Sequence, residues 1–266
     1  MSGPAKPLDS FRKIVVSSSQ SPYKRPVIDP SFPAWIQEHI FSPTELEAFL
    51  DCPFRFYAQA YLKLTPETEW EVEMTPMEMG RILHRILEKF LRNPKKEEAY
   101  LLSLMEEELA AHKKDRPHLS PVLLEHQKKR IVRTLLAFLK QDLFEGAEAK
   151  TLKPEYLEWS FGKKTPPLEI GDGIKIQGRI DRIDVDRKNK QFLIIDYKTG
   201  STEITGSQIL KGNSLQLPIY VMAVKQLLLP DFEPIGGIYY HLSDMTRKNG
   251  ILHAERAAES LPDLLE

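Results

Sequence analysis

Residues 174–200 read IKIQGRIDRIDVDRKNKQFLIIDYKTG, two apolar runs joined by a charged turn. Ile174, Ile176, Ile180, Ile183 and Val185 fill the first run with β-branched residues, and Phe192, Leu193, Ile194 and Ile195 make the second nearly continuous. Between them, Arg187-Lys188-Asn189-Lys190 is polar and carries an asparagine, which tolerates hairpin-turn backbone. The pattern predicts a β-hairpin centred between Lys188 and Asn189, in which opposed residues have numbers summing to 377. Asp181 then lies across from Asp196, and Lys198, two residues on, shares the face of Asp196. A slip of one residue would send the two carboxylates to opposite faces.

Two carboxylates and a lysine at the end of an apolar strand suit a hard cation such as Mg²⁺, which keeps positions for water and phosphate. The spacing is equally compatible with a structural ion pair of Lys198 and Asp196. Asp184, three residues from Asp181, falls on the other face of a regular strand and is read as structural.

Other segments add chemistry. Ser42-Pro43-Thr44-Glu45 predicts a capped helix start, with Ser42 as N-cap, Pro43 at the first position and Glu45 at the reciprocal site. Cys52-Pro53-Phe54-Arg55-Phe56 follows. Gly80 to Phe90 is amphipathic, with Ile82, Leu83, Ile86, Leu87 and Phe90 as its stripe and His84 at the stripe's edge. From about 97 to 146 the chain is helical and charged, punctuated by Pro117 and Pro121, with Lys128, Lys129, Arg130 and Arg133 forming a basic cluster. That cluster is either a solvated face or a phosphate contact. Pro154 to Gly162 predicts a strand before the hairpin. In the helix predicted from Gln216 to Leu229, Gln216 and Tyr220 share a face. Gly236 to Tyr240 predicts a further strand, followed by a short helix.

Taken together, these segments resemble the RecB/AddB-like branch of the PD-(D/E)XK nuclease superfamily. The likeness rests on Gly178 to Asp184, on Ile194 to Gly200, on Gly80-x-x-x-His84, on Gln216-x-x-x-Tyr220 and on the segment at Cys52, and it spans about Phe41 to Tyr240. The resemblance implies an α/β fold: a restriction-endonuclease-like core, its mixed central sheet flanked by helices, with a helical insertion. It implies that Asp181, Asp196 and Lys198 are catalytic, and that His84, Asp181, Asp196 and the Tyr197 carbonyl hold Mg²⁺ or Mn²⁺. Gln216 and Tyr220 would contact DNA. An additional acid is implied on the strand before the hairpin, with Glu158, ahead of Trp159-Ser160-Phe161-Gly162, as the preferred match and Glu155 as the alternative. The reaction implied is exonuclease-type hydrolysis of DNA phosphodiesters in double-strand-break repair, leaving 5′-phosphate and 3′-hydroxyl ends. The nearest likeness is to the C-terminal nuclease domain of bacterial helicase–nuclease subunits, so a helicase or ATPase partner is implied. The alternative is a non-catalytic DNA-binding or assembly module, which need not respond to metal or to loss of Lys198. Relatives with an iron–sulfur cluster use four cysteines. Cys52 is the single cysteine here, so no such cluster is expected, and Cys52 is read as a small buried thiol.

Composition bounds these readings. With 266 residues, 41% of them hydrophobic and 28% charged, one large globular domain with a helical elaboration is expected. Residues 1–40, with several prolines and serines, are read as a tail or linker anchored by Trp35, Ile36 and Ile40. Residues 41–266 are read as the nuclease domain, helical over about 41–150 and with the catalytic sheet over about 151–245. The lack of a long apolar run or a signal-like start, together with the lone cysteine, points to a cytoplasmic protein with no membrane partner. A net charge of −1 argues against tight autonomous DNA binding, so phosphate attraction must be local. The sequence holds no G-x-x-x-x-G-K-[ST] stretch, so ATP hydrolysis by this chain is not expected.

Overall fold

A computed structural model describes residues 29–65, 71–144, 151–171, 173–200 and 214–252. In chain order these form α1 (Phe32–Glu38), β1 (Ile40–Phe41), α2 (Pro43–Asp51), α3 (Pro53–Phe56), α4 (Pro76–Arg92), α5 (Glu98–Asp115) and α6 (Pro121–Phe138). Then come β2 (Lys153–Phe161), β3 (Leu168–Ile170), β4 (Ile174–Ile176), β5 (Gly178–Asp186), β6 (Gln191–Lys198), α7 (Gln216–Ala223), β7 (Glu233–His241) and β8 (Thr246–Leu252). No helix among the described residues is long and apolar enough to cross a membrane.

Five strands form a mixed sheet in the order β2-β5-β6-β7-β8, in which only the β6–β7 pair is parallel. The parallel pair requires a crossover, and α7 supplies it. A smaller sheet, β1-β4-β3, pairs Ile40 with Lys175. The hairpin register is the one predicted, since Arg182 faces Ile195 and Asp184 faces Leu193. One departure is that the first apolar run breaks at Gln177, so Ile174 and Ile176 belong to the small sheet. There the Gln177 amide donates to the Ile40 carbonyl at 2.8 Å.

Each face of the large sheet has its own core. Ile183, Val185, Phe192, Ile194 and Tyr239 pack with Leu217, Val221 and Val224 of the α7 segment. Ile195, Tyr197, Ile238 and Tyr240 pack instead against Ile82, Ile86 and Phe90 of α4, Leu101 and Met105 of α5, and Ile131 and Leu135 of α6. The alternation of β6 thus sends Ile194 to one core and Ile195 to the other. The α4 stripe of Ile82, Leu83, Ile86, Leu87 and Phe90 is wholly buried, as its periodicity predicts.

Two glycines mark close approaches. A Cβ on Gly178 would stand 2.8 Å from ring carbons of both Phe161 and Tyr220, so β5 lies against these rings only because that position has no side chain. A Cβ on Gly80 would meet Thr199 Oγ1 at 3.0 Å. This contact docks α4 on the end of β6, one helical turn ahead of His84.

The described end of the segment read as a tail or linker holds α1 and the start of β1, and Trp35 and Ile36, expected to anchor it, pack with Phe32 in an aromatic cluster with Phe41, Phe56, Tyr57 and Tyr61. Residues 1–28 lie outside the described residues. Other expectations are corrected. After β7 the chain turns into β8 rather than a helix, completing the sheet edge, and residues 253–266 lie outside the described residues. The predicted capping box at Ser42 forms, with Ser42 N–H donating to Glu45 at 2.7 Å. A second one at Thr75 and Glu78 starts α4. Cys52, expected to be buried, is half-buried between α2 and α3.

Candidate active site

The β5–β6 ladder ends at Arg182↔Ile195. Beyond it the Tyr197 N–H donates to Asp181 Oδ2 at 2.8 Å, so the Asp181 carboxylate continues the pairing where backbone leaves off. Its other oxygen, Oδ1, stands 3.2 Å from His84 Nδ1. On its far edge the imidazole meets the Tyr197 carbonyl, with Nε2 3.2 Å from the oxygen. Glu158 completes the cluster, its Oε1 3.9 Å from His84 Nδ1. One donor atom from each of His84, Glu158 and Asp181 lies within 4.8 Å of the others.

Asp196 stands beside this trio in a second arrangement. It is buried, its Oδ1 accepts from Gln216 Nε2 at 2.7 Å, and its Oδ2 lies 2.6 Å from Lys198 Nζ. Lys198 Nζ also donates to Gln216 Oε1 at 2.9 Å and sits 4.9 Å from the centre of the Tyr239 ring. Gln216 Nε2 reaches the Tyr220 hydroxyl at 3.3 Å. Burial raises the Tyr220 phenol's pKa above its usual range, so that hydroxyl stays protonated.

The charges of the cluster are strained against one another. Burial, then the charge of Asp181, pushes Glu158 up to about 7, although Arg179 and His84 oppose the shift. Burial and Asp181 likewise raise Asp196, with Lys198 opposing. For His84, burial favours the neutral ring, but the Asp181 hydrogen bond and charge, with Asp196 and Glu158, outweigh it and the net shift is upward. The protein thus holds three carboxylates, Glu158, Asp181 and Asp196, in one largely buried cluster.

These features fit a divalent cation. Neighbouring ligands of an octahedral ion at about 2.1 Å stand roughly 3 Å apart, close to the 3.2 Å between His84 Nδ1 and Asp181 Oδ1. Glu158 Oε2 and Asp196 Oδ2 are buried and accept no aligned hydrogen bond, though Arg179 Nε stands 2.8 Å from the first and Lys198 Nζ 2.6 Å from the second. Carboxylate oxygens with mixed imidazole nitrogen suit Mn²⁺ and tolerate Mg²⁺.

The sequence-based candidates therefore come together, with changed weights. Glu158, one of two alternatives, joins the cluster. Glu155 instead pairs Arg187 at the far end of the hairpin, its Oε2 2.9 Å from Arg187 Nε. Asp196, expected beside Asp181 as a ligand, is engaged by Lys198 and Gln216. The amide of Gln216, expected to face DNA, is occupied by the Asp196–Lys198 pair. Sequence reasoning missed Arg179, which holds Glu158, and Tyr239, whose ring underlies Lys198. It also missed His241, which lies beside Lys198 in the sheet, buried and with Nε2 unpartnered among the described residues. Parallel pairing of β6 with β7 decides the last two, and no local pattern reports it.

The profile of the PD-(D/E)XK nuclease superfamily matches residues 40–265. The chain belongs to that superfamily. Among curated relatives, a protein of Moorella thermoacetica named for an ATP-dependent helicase/deoxyribonuclease is 30% identical over 241 residues, covering 82% of this chain and 21% of the relative. The like-named protein from Listeria monocytogenes is 31% identical over 223 residues, 76% of this chain and 19% of its own length. That from Carboxydothermus hydrogenoformans is 26% identical over 260 residues, 90% of this chain and 23% of its own. This PD-(D/E)XK chain spans about a fifth of the length of the relatives it matches.

In this superfamily member the Glu158 carboxyl titrates near about 7 in the fold, and near ~4.3 in an unfolded chain. Between those values the fold binds the extra proton, so this group makes stability fall as pH rises through the window. Glu158→Gln, which cannot ionise, should raise the melting temperature in EDTA at pH 8, and the gain should shrink toward pH 5. An equal gain at both pH values would contradict the assignment. If the site cleaves DNA, Gln216→Ala should lower kcat by roughly tenfold with little change in KM, because the amide contacts both Asp196 and Lys198. A rise in KM alone would return Gln216 to a DNA-gripping role.

Proposed function

We propose that this chain is a Mg²⁺- or Mn²⁺-dependent deoxyribonuclease, working as an exonuclease module in double-strand-break repair and recombination. The observation that supports this most is one site holding both a His84–Glu158–Asp181 donor cluster and an Asp196–Lys198 pair, at the carboxyl end of β6. The five-stranded sheet with its flanking helices is read as the restriction-endonuclease-like core, and α5 with α6 as its helical insertion. Residues 41–266 form the nuclease domain in this reading, and β1 ties it to the segment before it.

In the proposed site, His84, Glu158 and Asp181 hold the cation, with Asp196 and the Tyr197 carbonyl as further oxygen donors. A bound cation supplies Lewis-acid polarisation of the scissile phosphate and a lower pKa for bound water. Lys198, an ammonium in its pairing with Asp196, orients the attacking water and offsets negative charge building on the phosphoryl oxygens, while the water's proton passes to solvent. Gln216 fixes the lysine and Asp196 relative to one another. Tyr220, protonated, presents a donor to the strand beside the cut. The P–O3′ bond breaks, the 3′-oxygen takes a proton from solvent water and departs as a hydroxyl, and the other product keeps a 5′-phosphate.

The names of the curated relatives, ATP-dependent helicase/deoxyribonuclease subunits, support a larger setting in which this nuclease works with a helicase or ATPase that feeds it DNA. A net charge of −1 agrees with delivery by a partner rather than strong autonomous binding.

The test is cleavage of end-labelled linear and circular DNA in Mg²⁺, Mn²⁺ or EDTA, with product ends mapped. Cleavage in either metal, none in EDTA, and 5′-phosphate ends released from linear DNA alone are expected. A folded protein inert under every condition, with and without a motor protein, would favour the non-catalytic binding module.

A further inference from the structure

A groove of about 540 Å³ runs between α6, α4 and the chain after β7. Arg130, Arg133 and Thr134 line it from α6, Leu83 from α4, and Thr199 and Ser243 from the strand ends. Along α6 the lining residues include 130, 133, 134 and 137, a helical stripe about 10 Å long, and Gln141 lines the groove from the turn after the helix. A second hollow shares Arg133 and adds Lys128 and Lys129, so the basic surface continues along the helix.

The groove adjoins the candidate active site through the chain itself. Leu83 precedes His84, and Thr199 follows Lys198. The Thr199 hydroxyl sits close to where a Cβ on Gly80 would lie, at the seam between groove and cluster. Arg130 and Arg133 are exposed, and among the described residues neither guanidinium pairs with a carboxylate. Arg133 Nε donates to the Lys129 carbonyl, at 3.3 Å. Lys128, by contrast, is held by Glu106 at 2.6 Å. Asp244 also lines the groove, with its Oδ1 taken by the Thr246 hydroxyl at 2.6 Å.

We propose that this groove carries the sugar–phosphate backbone of one DNA strand to the catalytic cluster, with Arg130 and Arg133 as its phosphate contacts. The inference rests on the nuclease reading for its direction, since Leu83 and Thr199 of the groove neighbour His84 and Lys198 in the chain, and Thr199 approaches Gly80, one helical turn ahead of His84. Two planar guanidinium groups with hydroxyl donors from Thr134, Thr199 and Ser243 match phosphate oxygens, and in this proposal they contact the backbone rather than base edges. Binding here is therefore sequence-independent. It also explains how a chain of net charge −1 attracts phosphate: two cations with no carboxylate partner among the described residues share one helical stripe.

The experiment is fluorescence anisotropy of a labelled single-stranded oligonucleotide of mixed sequence, in EDTA so that nothing is cut, over a salt series. For Arg130→Ala with Arg133→Ala, Kd should rise by roughly tenfold, and the slope of log affinity against log salt should fall by about 1.4, two phosphates' worth on a single strand. Arg130→Lys with Arg133→Lys should keep most of the slope, which separates lost charge from lost folding. Lys188→Ala with Lys190→Ala removes the same charge at the opposite end of β6 and should leave the slope unchanged. An unaltered slope in the double alanine variant, an equal fall in the Lys188/Lys190 variant, or no binding by the wild type at low salt would overturn the proposal. Arginine-dependent binding by a wild type that cuts no DNA in Mg²⁺ or Mn²⁺ would leave the groove standing and sink the nuclease reading instead.

Discussion

Lys198→Ala should lower divalent-dependent DNA cleavage by roughly 10²–10³-fold, the usual cost of removing one group aimed at developing charge. The size follows from what surrounds the ammonium. Its Nζ is 2.6 Å from Asp196 Oδ2, donates to Gln216 Oε1 at 2.9 Å, and rests over the Tyr239 ring. These contacts hold one positive charge at the mouth of an acidic cluster, in reach of a phosphate placed between Asp196 and Asp181. Without it the buried Asp196 loses the cation that opposes its upward pKa shift, so the carboxylate protonates more readily and becomes a poorer ligand. The loss should appear in kcat, measured on labelled linear DNA at saturating metal, with the circular dichroism spectrum unchanged. Cleavage within a few-fold of wild type would remove Lys198 from the mechanism and leave the ion pair as architecture.

The largest effect on stability should come from the opposite face of the same hairpin. Arg182 and Asp184, 2% and 4% exposed, form a bidentate pair at 2.5 Å and 2.7 Å, and Arg182 Nη1 lies 3.3 Å from the Tyr197 hydroxyl. Removing one partner strands the other as a buried charge. Arg182→Ala should therefore destabilise the fold by about 3–5 kcal/mol, read from urea unfolding. Arg182→Met combined with Asp184→Leu removes both charges and should recover most of that loss. If the double variant is no more stable than Arg182→Ala, the pair contributes through packing geometry rather than through charge compensation. The pair also orders the site, because it fixes Tyr197, whose N–H holds Asp181 and whose carbonyl meets His84.

The hairpin was legible in the sequence for a physical reason. A polar turn of four residues between two β-branched and aromatic runs leaves only one register that buries both runs, and that register faces Asp181 toward Asp196. The same alternation sends Asp184 to the other face, where it meets Arg182. The α4 stripe was legible because its apolar residues from Ile82 to Phe90 repeat at helical spacing, over a helix that is capped at Thr75. Glu158 could not be chosen over Glu155 by alternation, because the β2–β5 pairing shifts between Pro154 and Tyr156 and Glu158 itself has φ of +52°. That left-handed backbone is uncommon for a residue other than glycine, and no local pattern announces it. The partners of Lys198 depended on two long-range facts, the crossover through α7 and the parallel β7. Gln216 could be placed on a helix face from its spacing, but not bonded to a strand 18 residues earlier.

The central claim is that His84, Glu158 and Asp181 form a divalent-cation site, and titrating Mn²⁺ into the metal-free protein tests it most directly. Followed by electron paramagnetic resonance at pH 8 with a single-stranded oligonucleotide present, the wild type should bind Mn²⁺. Asp181→Asn, which keeps the shape and removes the charge, should bind at least roughly tenfold more weakly. Affinity should also fall as pH is lowered through about 7, because Glu158 must give up its proton to serve as a ligand. Mn²⁺ binding that Asp181→Asn leaves intact, or a wild type that binds none, would contradict the assignment of the cluster as a metal site.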